Sequence, residues 1–238
     1  MAPVDRLKES STEVVNTLRV GVGDVVGEIK PRLRGWLHLG SVPLAIAAGV
    51  VLIVLSPSTT TRTGAAVFMS AAVLLFTVSA LYHTRTWSAR AHNLLQRFDH
   101  ASIFVLIAGS YTPFALLLLE PADAWLVLTI VWGGAVLGVA IKVLWAAGPR
   151  WLHVLVYVAL GWAAVFWFDE FADDGQVAVL VLMIVGGALY SLGGLVYGFR
   201  RPDPSPRWFG FHEVFHSLTI MAFAAHYVGV FIATYSLR

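Results

Sequence analysis

The sequence predicts an all-α integral membrane protein, a bundle of seven transmembrane helices. Three observations lead there. Of the 238 residues, 58% are hydrophobic and only 13% charged, with a mean hydropathy of +0.76. A soluble domain built from that stock could not make its surface polar. Apolar runs recur at 36–55, 64–83, 100–119, 124–145, 151–168, 177–199 and 213–235, each near the ~20 residues a helix needs to cross the hydrocarbon core. Finally, charge is sorted by side. With the N-terminus cytoplasmic, the inner segments are 1–35, 84–98, 146–150 and 200–212, which with Lys142 hold 14 of the 16 Lys and Arg. Only Arg62 and Arg238 fall outside, where Glu120, Asp123, Asp169, Glu170, Asp173 and Asp174 gather. The positive-inside rule then predicts a cytoplasmic N-terminus and an outer C-terminus.

Taken in order, residues 1–35 form a cytoplasmic segment, and 36–238 the membrane domain. Val14 to Val26 reads either as a short amphipathic helix on the membrane surface or as a free terminus. The polar, charged stretch before the first apolar run is unlike a cleavable signal peptide. Ser56-Pro57, Pro121 and Gly148-Pro149 mark loops, and Arg201-Pro-Asp-Pro-Ser-Pro206 reads as a stiff cytoplasmic linker. Trp36, Trp87, Trp125, Trp151 and Trp208 stand near span ends, as an aromatic belt does. No internal repeat or soluble second domain is evident. With no cysteine, disulfides and thiolate chemistry are excluded.

The polar residues within the spans carry the chemistry. His212-Glu-Val-Phe-His216 opens the last apolar run. Histidines four apart on a helix share a face, about 6 Å apart along the axis, and make a ready pair of metal ligands. Read as H-E-x-x-H, the pattern is also that of zinc peptidases, with Glu213 as base. The topology brings His83 and Ser79, one turn apart at the inner end of span two, to the same leaflet. Asp99 and His100, at the inner start of span three, reach it too. Ionisable groups at membrane depth are costly and face a cavity or one another. Three neutral imidazoles suit Zn²⁺ and leave a fourth position for water, whose pKa falls to about 7 there. Asp99 would hold or deprotonate that water, and Ser79 would hydrogen-bond a substrate carbonyl or developing oxyanion.

Each residue also has a plainer reading. An interfacial His is commonly an anchor, and Ser79 can back-bond to its own helix. Asp99 suits an N-cap, and Glu213 a first-turn acid placed for the helix dipole. His92 reads as solvated. His38 is at the right depth without a paired partner, and His153 lies near the inner end of span five. His226 is some 15 Å deeper than His216 by helical rise and reads as a packing or hydrogen-bonding residue.

The same residues resemble the bacterial hemolysin III family, related to the progestin and adipoQ (adiponectin) receptors. Ser79-Ala-Leu-Tyr-His83 is similar to the family's S-x-x-x-H motif in the second span. Phe98-Asp99-His100, followed by Gly109-Ser-Tyr-Thr-Pro113, is similar to the motif opening its third. His212-Glu-Val-Phe-His216 is similar to its H-x-x-x-H motif in the last, and Lys30-Pro-Arg-Leu-Arg-Gly35 with His38 resembles the approach to its first span. The resemblance runs from about residue 28 to 238. It implies zinc near the cytoplasmic face, with His83, His212 and His216 as ligands, Asp99 contacting the zinc-bound water and Ser79 beside it. It further implies a bacterial cytoplasmic membrane and a wider group that includes the alkaline ceramidases. Adiponectin receptors do not require a Glu between the two histidines, so the resemblance favours Asp99 over Glu213 for handling the water.

The expected function is a zinc-dependent hydrolase of lipid amides or esters. Its expected partner is a membrane lipid with an acyl chain, not nucleic acid. The alternatives are a receptor or membrane-homeostasis sensor with structural zinc, and a pore-forming cytolysin. A pore calls for a polar stripe along several spans, whereas here the polar residues cluster at one end.

Overall fold

The computed structural model describes residues 31–144, 150–173 and 177–236. The Val14–Val26 stretch and the Gly148-Pro149 loop lie outside them. The elements are α1 (Trp36–Leu55), α2 (Thr59–Thr84), α3 (Ala89–Leu118), α4 (Pro121–Leu144) and α5 (Arg150–Gly161). A 3₁₀ turn (Ala163–Trp167) follows, then α6 (Phe168–Asp173), α7 (Val177–Phe199) and α8 (Phe211–Ser236). Among the described residues there is no β-strand, and seven helical stretches are long and apolar enough to cross a membrane.

Helices α1 to α4 pack each on the next. Helix α5 then packs on α4 and α7, α7 on α8, and α8 returns to α1, closing a ring that α3 braces by touching α5 and α8. Of the apolar window of α3, 72% is buried, against 22% for α1 and 28% for α7. Helix α3 is thus the inner one, and α1 turns Leu44, Val50 and Val54 outward.

The helices overrun the apolar runs where caps and charges extend them. Helix α2 begins at Thr59 because Ser58 and Thr61 form a capping box, Thr61 N–H donating to Ser58 Oγ at 3.2 Å and Ser58 N–H to Thr61 Oγ1 at 3.0 Å. Helix α3 starts eleven residues before the expected position 100, with Ser88 as its N-cap. Asp99 is therefore inside a helix, and the N-cap reading of it is corrected. The polar turns of α3 dock on α4, where the Arg97 guanidinium donates to the Val143 carbonyl at 2.7 Å, one of the acceptors that a helix end leaves open. Arg62 does the same for α1 by donating to the Ser56 carbonyl at 3.0 Å.

The fifth span is not the continuous helix expected over 151–168. Its α-helix stops at Gly161. There the Tyr111 hydroxyl, from α3, donates to the Gly161 carbonyl at 2.7 Å and accepts from Ala164 N–H at 2.9 Å. A side chain inserted into the helical ladder breaks it, and hydropathy alone carries no trace of this.

Candidate metal centre

Two helices bring the predicted ligands together. His83 is on the last turn of α2, and His212 and His216 are on the first turns of α8. One nitrogen from each lies within 4.8 Å of the others, and His83 Nε2 and His212 Nε2 are 3.1 Å apart. Tetrahedral ligands at ~2.05 Å from zinc are themselves about 3.3 Å apart, so the donor set fits a zinc ion. Asp99 Oδ2 stands 3.6 Å from His83 Nε2.

Ser79, one turn below His83, is buried. Ser41, Ser102, Ser110, Ser191 and Ser217 each donate to a carbonyl of their own helix. Ser79 makes no such bond among the described residues, and it lines a cavity beside the cluster. Its back-bonding reading is thereby corrected.

Glu213 points elsewhere. One carboxylate oxygen, Oε1, takes a hydrogen bond from Arg34 Nε at 3.0 Å and the other, Oε2, takes one from Gly210 N–H at 2.8 Å. The second bond is half of a capping box, and Phe211 N–H is capped by Asp203 Oδ1 at 2.9 Å. The Pro-rich linker therefore folds back as the cap of α8. It also pairs with the residues before α1: Arg32 N–H donates to the Arg207 carbonyl, Leu33 N–H to that of Trp208, and the Arg32 guanidinium lies 4.6 Å over the Trp208 ring. Gly35 turns the chain into α1 at φ +85, a conformation glycine adopts without strain. It packs against His83, where an added Cβ would come within 2.7 Å of the His83 Cβ.

His38 does have a partner. Its ring stacks on His216 with centroids 3.8 Å apart and planes 16° from parallel. Both its nitrogens are buried without a hydrogen bond. Its depth and its place in the first-span motif were the signals for it. His100 stands beside the cluster, its Nδ1–H donating to the Gln96 carbonyl at 2.8 Å, so that its Nε2 accepts from the Tyr197 hydroxyl at 2.9 Å. Nothing in the sequence singled out Tyr197, and Arg34 stood out only as part of the motif approaching the first span. His92 is exposed, and His226 hydrogen-bonds the Met183 carbonyl deep in the bundle, as expected.

The cluster separates two spaces. Outside it is a polar vestibule of ≈ 510 Å³, bordered by Arg34, Arg85, His92 and Gln96. Inside is a narrow, mostly apolar cavity of ≈ 100 Å³ that runs from Asp99 and His212 down to Tyr190 and His226. The vestibule and the cavity share Asp99, His100, Tyr197 and His212. A second apolar space continues past the break in the fifth span.

A family model described as "Haemolysin-III related" matches residues 27–227. The chain is 30% identical over 159 residues to the "Hemolysin-3 homolog" of Bacillus subtilis (strain 168), covering 67% of this chain and 71% of that protein. It is 29% identical over 161 residues to "Hemolysin-3" of Bacillus cereus, covering 66% and 73%. To the "Adiponectin receptor protein" of Drosophila melanogaster it is 27% identical over 190 residues, covering 68% and 40%. Seven apolar helices and a match that spans most of them lead to one conclusion: the chain belongs to the haemolysin-III-related family of integral membrane proteins.

Proposed function

We propose that this protein is a zinc-dependent membrane hydrolase of lipid amides or esters, with its site at the cytoplasmic leaflet. The observation that carries this reading is a group of three imidazoles at the mouth of an apolar cavity, flanked by a carboxylate and an unpartnered serine hydroxyl. His83, His212 and His216 would hold the metal. Zinc bound by three imidazoles acidifies water and polarises a carbonyl.

The chain's own residues supply the rest. The apolar cavity takes the acyl chain, which sets the scissile carbonyl at the cluster. Ser79 Oγ–H donates to the carbonyl oxygen as negative charge develops on it. Asp99 takes a proton from the attacking water and returns it to the departing amine or alcohol. One C–O bond is made, and one C–N or C–O bond is broken. Glu213, both oxygens engaged, holds the start of α8 so that His212 and His216 face α2.

A second reading, a receptor or sensor with structural zinc, is favoured by one observation. His38 adjoins the cluster with neither nitrogen hydrogen-bonded, and a fourth imidazole would close a structural site.

Metal analysis of the protein purified in detergent tests both. One zinc per chain, lost in His83→Ala, His212→Ala and His216→Ala but kept in His38→Ala, supports the open, hydrolytic site. Ceramides and other lipid amides would then be assayed for release of fatty acid. Zinc lost in His38→Ala supports the closed site instead. A wild-type protein that takes up no zinc overturns both.

A further inference from the structure

The inner cavity ends on chemistry that the metal cluster does not use. His226 is nine-tenths buried, and its ring stands 5.5 Å from that of Tyr190, edge to face. Its Nε2 faces the Met183 carbonyl at 3.3 Å. A carbonyl only accepts, so Nε2 carries the proton and Nδ1 is a bare acceptor. That Nδ1 and the Tyr190 hydroxyl are both buried without a hydrogen-bond partner. The seat for the imidazole is shaped by Gly186, where any Cβ would overlap the ring. The other polar groups along the deep wall are satisfied: Ser110, Tyr111, Ser191 and Thr219 all donate to backbone carbonyls. Buried polar groups are normally paired, so two left open together at the deep end of one cavity call for an occupant.

We infer that the His226–Tyr190 end of the cavity is a recognition site for a hydroxyl group on the chain of a bound lipid. An alcohol satisfies both residues at once, donating to His226 Nδ1 and accepting from the Tyr190 hydroxyl. A carbonyl could not donate to His226, and an unsubstituted methylene leaves both open. His226 lies ten residues beyond His216 on one helix, roughly 15 Å by helical rise. A lipid with its headgroup end at the cluster therefore places a mid-chain carbon beside the pair. This deepens the hydrolase reading and rests on its placing of the acyl chain.

The test is equilibrium binding of octadecanoic acid and a positional series of monohydroxyoctadecanoic acids, which requires no turnover. In wild type, one hydroxyl position should bind about tenfold or more above the unsubstituted acid, as two well-made hydrogen bonds allow. In His226→Leu and Tyr190→Phe that preference should vanish while octadecanoic acid binds within about twofold of wild type. Tyr190→Phe removes a single oxygen and guards against a folding failure in the other variant. Equal binding along the series in wild type, or a preference that survives in both variants, overturns this inference alone. Failure of every acid to bind, octadecanoic acid included, overturns the lipid reading beneath it as well.

Discussion

Ser79 and Asp99 carry different parts of the proposed chemistry, and single substitutions separate them from the metal ligands. Ser79→Ala removes the hydroxyl that would meet the developing oxyanion. It should lower kcat by about 10²–10³-fold, the usual loss for one such donor, and leave one zinc per chain. Asp99→Asn keeps the shape but cannot take a proton, so turnover should collapse while zinc stays bound. A Ser79→Ala protein of unchanged kcat would remove serine from the mechanism. Glu213 is expected to behave in the opposite way. Breaking a buried ion pair from one side costs about 3–5 kcal/mol, so Glu213→Ala should lower the thermal midpoint sharply. Glu213→Gln, which retains an acceptor for Gly210 N–H, should lose less and keep both zinc and turnover. At this scale the three-histidine cluster was legible because the i, i+4 spacing of His212 and His216 and their common depth with His83 are written in the chain. The direction of the Glu213 carboxylate was not, since its partner Arg34 is 179 positions away.

Among the elements, the turn into α1 is a support for the site. Gly35 combines a positive φ with a close approach to His83 and Thr84. Gly35→Ala imposes strain on the backbone and pushes on His83, a proposed metal ligand. Zinc affinity should fall at least tenfold, measured by chelator competition, although Gly35 itself offers no ligand atom. Hydropathy located the spans at 36–55 and 177–199 to the residue, the bounds of α1 and α7. It failed where polar residues continue a helix, as in the first turns of α3, because apolar content reports membrane depth and not hydrogen bonding. It failed again at Gly161, where the helix is broken by a tyrosine from another span.

For the molecule as a whole, the distribution of Lys and Arg predicts that the vestibule opens to the cytoplasm. The absence of native cysteine makes this simple to check. In intact cells, Asp123→Cys should react with an impermeant maleimide added outside, and Arg207→Cys only after permeabilisation. The reverse pattern would invert the bundle and put the site on the outer face. Depth along the membrane normal was readable from the sequence, since each span must cross once. Which spans are neighbours was not, and the ring that sets α8 between α1 and α7 decides that His83 meets His212.

That ring also orders the events of biosynthesis. Ribosomes deliver the chain from its N-terminus, so α2 enters the membrane with His83 long before His212 and His216 exist. The cap of α8 and its pairing with residues 32 and 33 likewise wait for the final helix. The nascent protein therefore has no three-histidine cluster until its last span is inserted. A chain that stops short of α8 carries only His83 of the three clustered histidines.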